Sequence, residues 1–286
     1  MSFTTQKSAP LLEILESFSP DSSKNTLKKW IKSKRVYVDD FVIEDAQAVI
    51  KKGAKISLGN KKEYFKGNIE ILYEDQDLVV IYKPEGLLSV ATDKELFYTA
   101  HDLLKTKLPK RRVYPVHRLD RDTSGVMVFA YTTLARDHLK EQFEKHSIYR
   151  EYRALVIGTL EEKKGVWKSY LMEDDFCYVY EWDETRLPIP PEAKFAITEF
   201  EVLQEAKKIS YVKFTLKTGK KNQIRVQAAH RGHPILGDKK YGPKESPISR
   251  MSLHAYALNF IHPKTEKTLS FSYPYPKELN RMLPKK

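Results

Sequence analysis

The chain has 286 residues, 41% hydrophobic and 31% charged, enough for one large domain with a filled core and a small one beside it. Its mean hydropathy is −0.54, and no apolar run approaches the roughly 18 residues of a membrane span. The first residues, Met1 to Lys7, lack the apolar stretch of a signal peptide, and a single cysteine, Cys177, excludes an internal disulfide and a thiolate-rich zinc site. The expectation is a monomer in a reducing cytoplasm, and a net charge of +12 with pI 9.4 points to a polyanionic partner.

Residues 1–62 read as a small domain. Leu11, Leu12, Ile14 and Leu15 give a short helical apolar face. Ser22 and Ser23 can cap a second helix whose inner side holds Leu27, Trp30 and Ile31. Lys24, Lys28 and Lys32, four residues apart, point elsewhere. With Lys29, Lys34 and Arg35 they form a stretch of six basic residues without an acidic one, and such clustering favours nucleic acid over a uniform surplus of charge. Val36–Val38 and Phe41–Ile43 read as strands joined at Asp39–Asp40, and a last strand lies around Ile56–Leu58.

Lys61 to Lys66 reads as a basic connector. Residues 63–286 form the large domain. Ile69–Glu74 and Leu78–Lys83 are predicted strands, ended by Pro84 and Gly86. Helices are predicted around Thr99–Leu104 and Thr132–Phe143. Tyr152–Ile157, Ala196–Leu203 and Ser210–Leu216 read as strands, and Trp182–Pro191 as a surface loop. Many strands with few helices predict an α+β fold with a mixed, mainly antiparallel sheet.

The most informative segment is His117-Arg118-Leu119-Asp120-Arg121-Asp122-Thr123-Ser124-Gly125, followed by the apolar run Val126–Ala130. It sets one carboxylate, Asp120, between two arginines that favour its ionised form. By itself such an acidic-basic loop is more often a surface ion-pair cluster. Asp120 and Asp122 with His117 could also hold Mg²⁺ in a nuclease, which predicts cleavage sensitive to chelators. A third reading is a non-catalytic RNA-binding ribosome assembly factor, in which Asp120 is dispensable.

The segment resembles the signature loop of the RluA/RluD family of pseudouridine synthases, and the resemblance spans about residues 69–275. The strand ending in Lys83-Pro84-Glu85-Gly86 is similar to the start of that family's catalytic domain, with Tyr82 where Asn is common. In Arg150-Glu151-Tyr152, Arg150 stands for the family's Lys and Tyr152 for its active-site Tyr. In Thr218-Gly219-Lys220-Lys221-Asn222-Gln223-Ile224-Arg225, residues Lys220, Lys221 and Asn222 depart from the family's Arg-Thr-His while Gln223-Ile224-Arg225 is kept. Residues 10–58 resemble an RNA-binding domain first recognised in a ribosomal protein, with Asp39–Asp40 in place of Asn-Gly.

The resemblance implies an RNA pseudouridine synthase, an isomerase whose favoured substrate is ribosomal RNA, with transfer RNA as the alternative, and with no cofactor. It implies that Asp120 acts at the ribose, that Tyr152 supports the uracil and that Arg225 pairs with Asp120. Arg118 would take the place of the extruded uridine. Lys24, Lys28, Lys29, Lys32 and Arg35 would contact RNA, and the altered trio would touch phosphates or shape its loop. His230, His233, His254 and His262 are too irregularly spaced for zinc, so no metal is expected.

Overall fold

The computed structural model describes residues 2–32, 35–39, 41–59, 69–92, 98–206 and 208–283. The chain divides into two compact units, Met1–Tyr64 with Thr92–Leu96, and Phe65–Ala91 with Phe97–Lys286.

The first unit contains β1 (Ser2–Thr4), β2 (Ala9–Pro10), α1 (Leu11–Phe18), α2 (Lys24–Lys32), β3 (Val36–Val38), β4 (Phe41–Val42), β5 (Val49–Ile50) and β6 (Lys55–Leu58). Strands β1, β6, β3 and β4 form an antiparallel sheet in that order, and β2 pairs with β5. Helix α1 buries Leu11, Ile14 and Leu15, and α2 buries Leu27 and Ile31. This is the i, i+3, i+4 spacing of a helix face laid on a core. Ser23 caps α2 by accepting from Thr26 N at 3.2 Å. Asp39 takes the turn after β3 with φ +49°, a conformation Asp tolerates, and its Oδ1 accepts from Lys55 N at 2.8 Å. Asp40, Lys34 and the connector Lys61–Lys66 lie outside the described residues.

Among the described residues, the strands of the second unit form one sheet of eleven. They are β7 (Glu70–Glu74), β8 (Leu78–Lys83), β9 (Tyr114–Pro115), β10 (Ser124–Ala130), β11 (Tyr149–Ile157), β12 (Lys164–Glu173), β13 (Val179–Glu181), β14 (Lys194–Ala206), β15 (Ile209–Leu216), β16 (His254–Ile261) and β17 (Thr268–Ser272). The order is β13-β12-β14-β15-β11-β16-β10-β8-β7, with β17 on β16 and β9 on β10. Among these strands every pairing is antiparallel except β10 with β16. The α+β reading with a mixed, mainly antiparallel sheet is therefore the observed fold.

Strand β10 is buried along its whole length, which explains its unbroken apolar run. At its start, Gly125 has φ +130°, and a Cβ there would collide with the Ala255 carbonyl and come within 2.6 Å of Ala255 N. Only glycine lets β10 and β16 approach so closely. Helices α3 (Ala100–Lys107) and α4 (Thr133–Glu144) start at Thr99 and Thr132, whose hydroxyls accept from Asp102 N and Ala135 N at 3.1 Å. Helix α5 (Gln223–His230) lies between β15 and β16, and α6 (Lys277–Asn280) follows β17. One core cluster packs around Trp167, Phe200 and Phe214 and another around Met127, Phe129 and Leu104. Tyr152 packs against both, so the join between the two cores is also where the site lies.

Candidate active site

Asp120 stands in the loop that enters β10, and both of its neighbours are tied by backbone contacts. Ser89 Oγ donates to Leu119 O at 2.7 Å and accepts from Leu119 N at 3.0 Å. Lys83 is fully buried, and its ammonium donates to Arg121 O at 3.0 Å, Pro84 O at 3.0 Å and Leu87 O at 2.6 Å. Three carbonyls thus use the three N–H bonds of Lys83. Burial pushes its pKa down to about 7, against the pull of Asp122, Asp120 and Glu85.

The cation against Asp120 comes from far along the chain. Arg225 Nη1 donates to Asp120 Oδ2 at 3.0 Å across 105 residues. The same guanidinium forks onto a second carboxylate: Nε donates to Asp238 Oδ2 at 2.7 Å and Nη2 to Asp238 Oδ1 at 2.8 Å. Asp238 is nearly sealed, and also accepts from Lys240 N and Tyr241 N. The ring of Tyr241 lies 5.1 Å from the guanidinium carbon. Burial works against the charge on Arg225, but the bonds and charges of Asp238 and Asp120 outweigh it and hold its pKa above the ordinary arginine value. Asp238 fixes the fork, so Arg225 holds Asp120 by one oxygen. Among the described residues the other oxygen, Oδ1, has no hydrogen-bond partner.

Arg225 sits in the first turn of α5. Gln223 knits this turn to the sheet: Oε1 accepts from Thr218 Oγ1 at 2.9 Å and Lys220 N at 3.0 Å, and Nε2 donates to Ile197 O at 3.0 Å and Thr198 Oγ1 at 2.8 Å. Asn222 adopts the left-handed conformation ahead of the helix, and its amide donates to Tyr241 OH at 3.0 Å. Lys221 pairs with Glu173. Two of the three altered residues therefore shape the loop, and Lys220 lines the cleft.

That cleft is bordered by Arg118, Asp120, Tyr152, Lys220, Asn222 and Arg225. Tyr152 is half-buried, and burial raises its phenol to about 12, with Arg150 lowering it and Asp120 raising it. The ring is a neutral platform at physiological pH. Arg118 is exposed at the rim. The structure thus brings together Asp120, Tyr152, Arg225 and Arg118.

The other sequence candidates lie in the first unit. Lys28, Lys29 and Lys32 are exposed on α2. Lys24 pairs with Glu16 at 3.2 Å. Arg35 donates from Nε to Gly59 O at 3.2 Å and stands 5.7 Å from the Trp30 ring, so part of its role is to hold this unit together.

Sequence reasoning gave no role to Lys83, Ser89 or Asp238. Their partners are backbone atoms or side chains far along the chain, and no local pattern announces them. His117 Nε2 accepts from Val128 N at 3.1 Å and its ring stacks on Phe143, so that nitrogen is taken and cannot join Asp120 and Asp122 around a metal. Asp75, Asp77 and His262 lie close together. His262 Nδ1 accepts from Lys264 N and Thr265 N, which leaves Nε2 to donate to Asp75 Oδ2 at 2.9 Å. A ring used in this way has no lone pair left for a metal.

The fold is that of pseudouridylate synthases. The human RNA pseudouridylate synthase domain containing 4 superposes with a TM-score of 0.60 at 25% identity, covering 76% of this chain and 95% of that one. The corresponding human domain-containing protein 1 gives 0.62 at 23%, covering 76% and 88%. The family model described as RNA pseudouridylate synthase matches residues 77–230. An RNA pseudouridine synthase of Bacillus subtilis (strain 168), YhcT, is 30% identical over 275 residues, covering 91% of this chain and 88% of its own. Ribosomal large subunit pseudouridine synthase D of Pasteurella multocida (strain Pm70) is 30% identical over 292 residues, covering 92% and 87%. The chain belongs to the RluA/RluD family of RNA pseudouridine synthases, and it is an isomerase that acts on RNA.

Proposed function

We propose that this enzyme isomerises uridines of ribosomal RNA, with Asp120 as the group that acts at the ribose. In the reaction the bond from ribose C1′ to uracil N1 breaks and one from C1′ to C5 forms, while the C5 proton leaves and N1 gains one. The observation that carries the role of Asp120 is its tether: Oδ2 is held by Arg225 at 3.0 Å while Oδ1 is unpaired among the described residues. A carboxylate fixed by one oxygen is oriented and charged, and the other oxygen is left for a ribose, either as a nucleophile at C1′ or as a base toward the 2′ position. Tyr152, which lines the same cleft as Asp120, supports the detached uracil by stacking, and its hydroxyl serves the C5 proton transfer. Arg118 at the rim takes the vacated place in the stack and lowers the cost of extruding the base.

Ribosomal RNA is favoured because relatives are named for the large ribosomal subunit, while the net charge of +12 suits any RNA. The first unit, with Lys28, Lys29 and Lys32 on α2, adds non-specific affinity. The enzyme works in the cytoplasm, as a monomer. No helix among the described residues is long and apolar enough to cross a membrane.

Asp120→Asn keeps the size of the side chain and removes its charge. Pseudouridine formation in a large-subunit ribosomal RNA transcript should disappear, while RNA binding, which rests on phosphate contacts, should remain. Turnover near the wild-type rate would remove Asp120 from the chemistry.

A further inference from the structure

One buried cation on the catalytic sheet lacks the company that buried cations need. Arg150 lies on β11, two residues before Tyr152, and is 7% exposed. Its Nε and Nη2 are buried and have no hydrogen-bond partner among the described residues. The Phe143 ring stands 5.9 Å from the guanidinium carbon. Nearby carboxylates are committed elsewhere: Glu151, on the opposite face of the strand, accepts from Arg153 Nε and Tyr149 OH at 2.8 Å. A guanidinium stripped of water with no anion beside it holds a strong uncompensated field. Arginine suits such a place better than lysine, being weakly hydrated and always charged.

The third nitrogen of Arg150, Nη1, lies against Gly219, where an added Cβ would collide with it. Gly219 opens the loop of Lys220, Lys221 and Asn222, and Lys220 borders the active-site cleft. Charges along this stretch are mostly neutralised. Lys217 pairs with Glu199, Lys221 with Glu173, and Arg225 with Asp120 and Asp238. Among the described residues neither Arg150 nor Lys220 has an ion-pair partner. Burial lowers the pKa of the His146 ring, and both cations lower it further.

We propose that Arg150 and Lys220, one on each side of Gly219, form a binding site for a phosphodiester of the substrate RNA strand next to the uridine in the cleft. The absence of a side chain at residue 219 leaves Nη1 uncovered for a phosphate oxygen, and Lys220 closes on the same group from the cleft side. A phosphate here supplies the anion that the buried guanidinium lacks. It also fixes the strand at a second point, so that the target nucleotide is positioned from its backbone as well as its base. The assignment rests on RNA being the substrate.

Binding of a large-subunit ribosomal RNA transcript to the full chain, measured across a range of salt, tests it. Arg150→Met should weaken affinity roughly ten-fold, the worth of one charge-assisted contact, and flatten the log–log salt slope by about 0.7. Lys220→Ala should do the same, and the double variant should weaken binding by less than the two single effects combined, because both side chains hold one phosphate. Arg150→Lys should fall between wild type and Met. Gly219→Ala retains the charge but displaces Nη1, and should weaken binding with the melting temperature little changed. Wild-type affinity and salt slope in Arg150→Met, or in Arg150→Lys and Gly219→Ala should the methionine variant not fold, would show that Arg150 only packs under the loop and overturn the site. Failure of the wild type itself to bind the transcript would strike at the RNA reading first, and the site would fall with it.

Discussion

At the scale of single residues, the site depends on one arginine serving two carboxylates. Asp238 takes the fork of Arg225 and Asp120 takes the remaining nitrogen. Arg225→Met removes the partner of a sealed charge, which costs about 3–5 kcal/mol in such pairs. It also frees Asp120 to rotate, and misorientation of this kind costs on the order of 10²-fold in rate. Arg225→Lys has one point charge for two acceptors, so it should fall between Met and wild type in both stability and rate. Urea unfolding and turnover per folded enzyme separate the two effects; wild-type values for both in Arg225→Met would remove the pairing from the mechanism. Asp120, Tyr152 and Arg225 were legible in the sequence because each sits in a distinctive motif. Asp238 was not, since a carboxylate among Gly237, Lys239 and Lys240 looks like an ordinary turn residue. Lys83 was not either, since nothing local says that a lysine at the end of a strand is folded inward.

At the scale of elements, helix α2 carries the test of the first unit. Lys28, Lys29 and Lys32 are exposed, while Leu27 and Ile31 on the other side hold the helix to its core. Alanine is the best helix former, so replacing the three lysines should leave the unit folded. RNA affinity should fall, and the log–log salt slope should drop by about 0.7 for each phosphate that a lysine no longer neutralises. Pseudouridine formation should recover at high enzyme concentration, because the catalytic sheet is untouched. An unchanged slope would make the lysines a solvated face. Helices with one apolar stripe, such as α1, α2 and α4, were visible in the sequence. Helix α5 was not, because Gln223 to Ala228 are buried all round and leave no periodic stripe to read. Strands β1, β2 and β5, of two or three residues, lack the turn between two apolar runs that made β3 and β4 readable.

At the scale of the molecule, stability should depend on pH through buried imidazoles. His254 is fully buried; its Nδ1 accepts from Ser124 Oγ at 2.9 Å and its Nε2 donates to Tyr273 O at 3.1 Å. Burial pushes its pKa down to about 4, and burial together with Arg150 pushes His117 to about 3. Both folded-state values lie below the ordinary 6.5 or so, so between there and about 4 the unfolded chain binds more protons. This contribution is therefore complete above pH 6.5 or so and diminishes as pH falls. From about pH 7 to about pH 5 the decrease due to His254 alone is about 2 kcal/mol. His254→Gln, which does not titrate, should shrink the difference between urea midpoints at the two pH values; an equal difference in variant and wild type would sink the account. The broad class of the fold could be read from the sequence, but the strand order could not. The pairing of β10 with β16 joins Ser124 to His254, a match between distant segments that neither announces.

That pairing has a metrical consequence. Gly125 lies opposite Lys83 on one side and Ala255 on the other, Ala255 lies opposite Tyr152, and Tyr152 opposite Phe214. One row of residues thus crosses five strands, from the lysine beneath the Asp120 loop to the tyrosine of the cleft and on to Phe214. The step from β10 to β11 spans two strand spacings, roughly 10 Å. Backbone hydrogen bonds set this interval, so it is a ruler made of peptide groups and indifferent to most side chains. A relative that shares 30% of its residues can rewrite much of the rest without changing the length of the ruler.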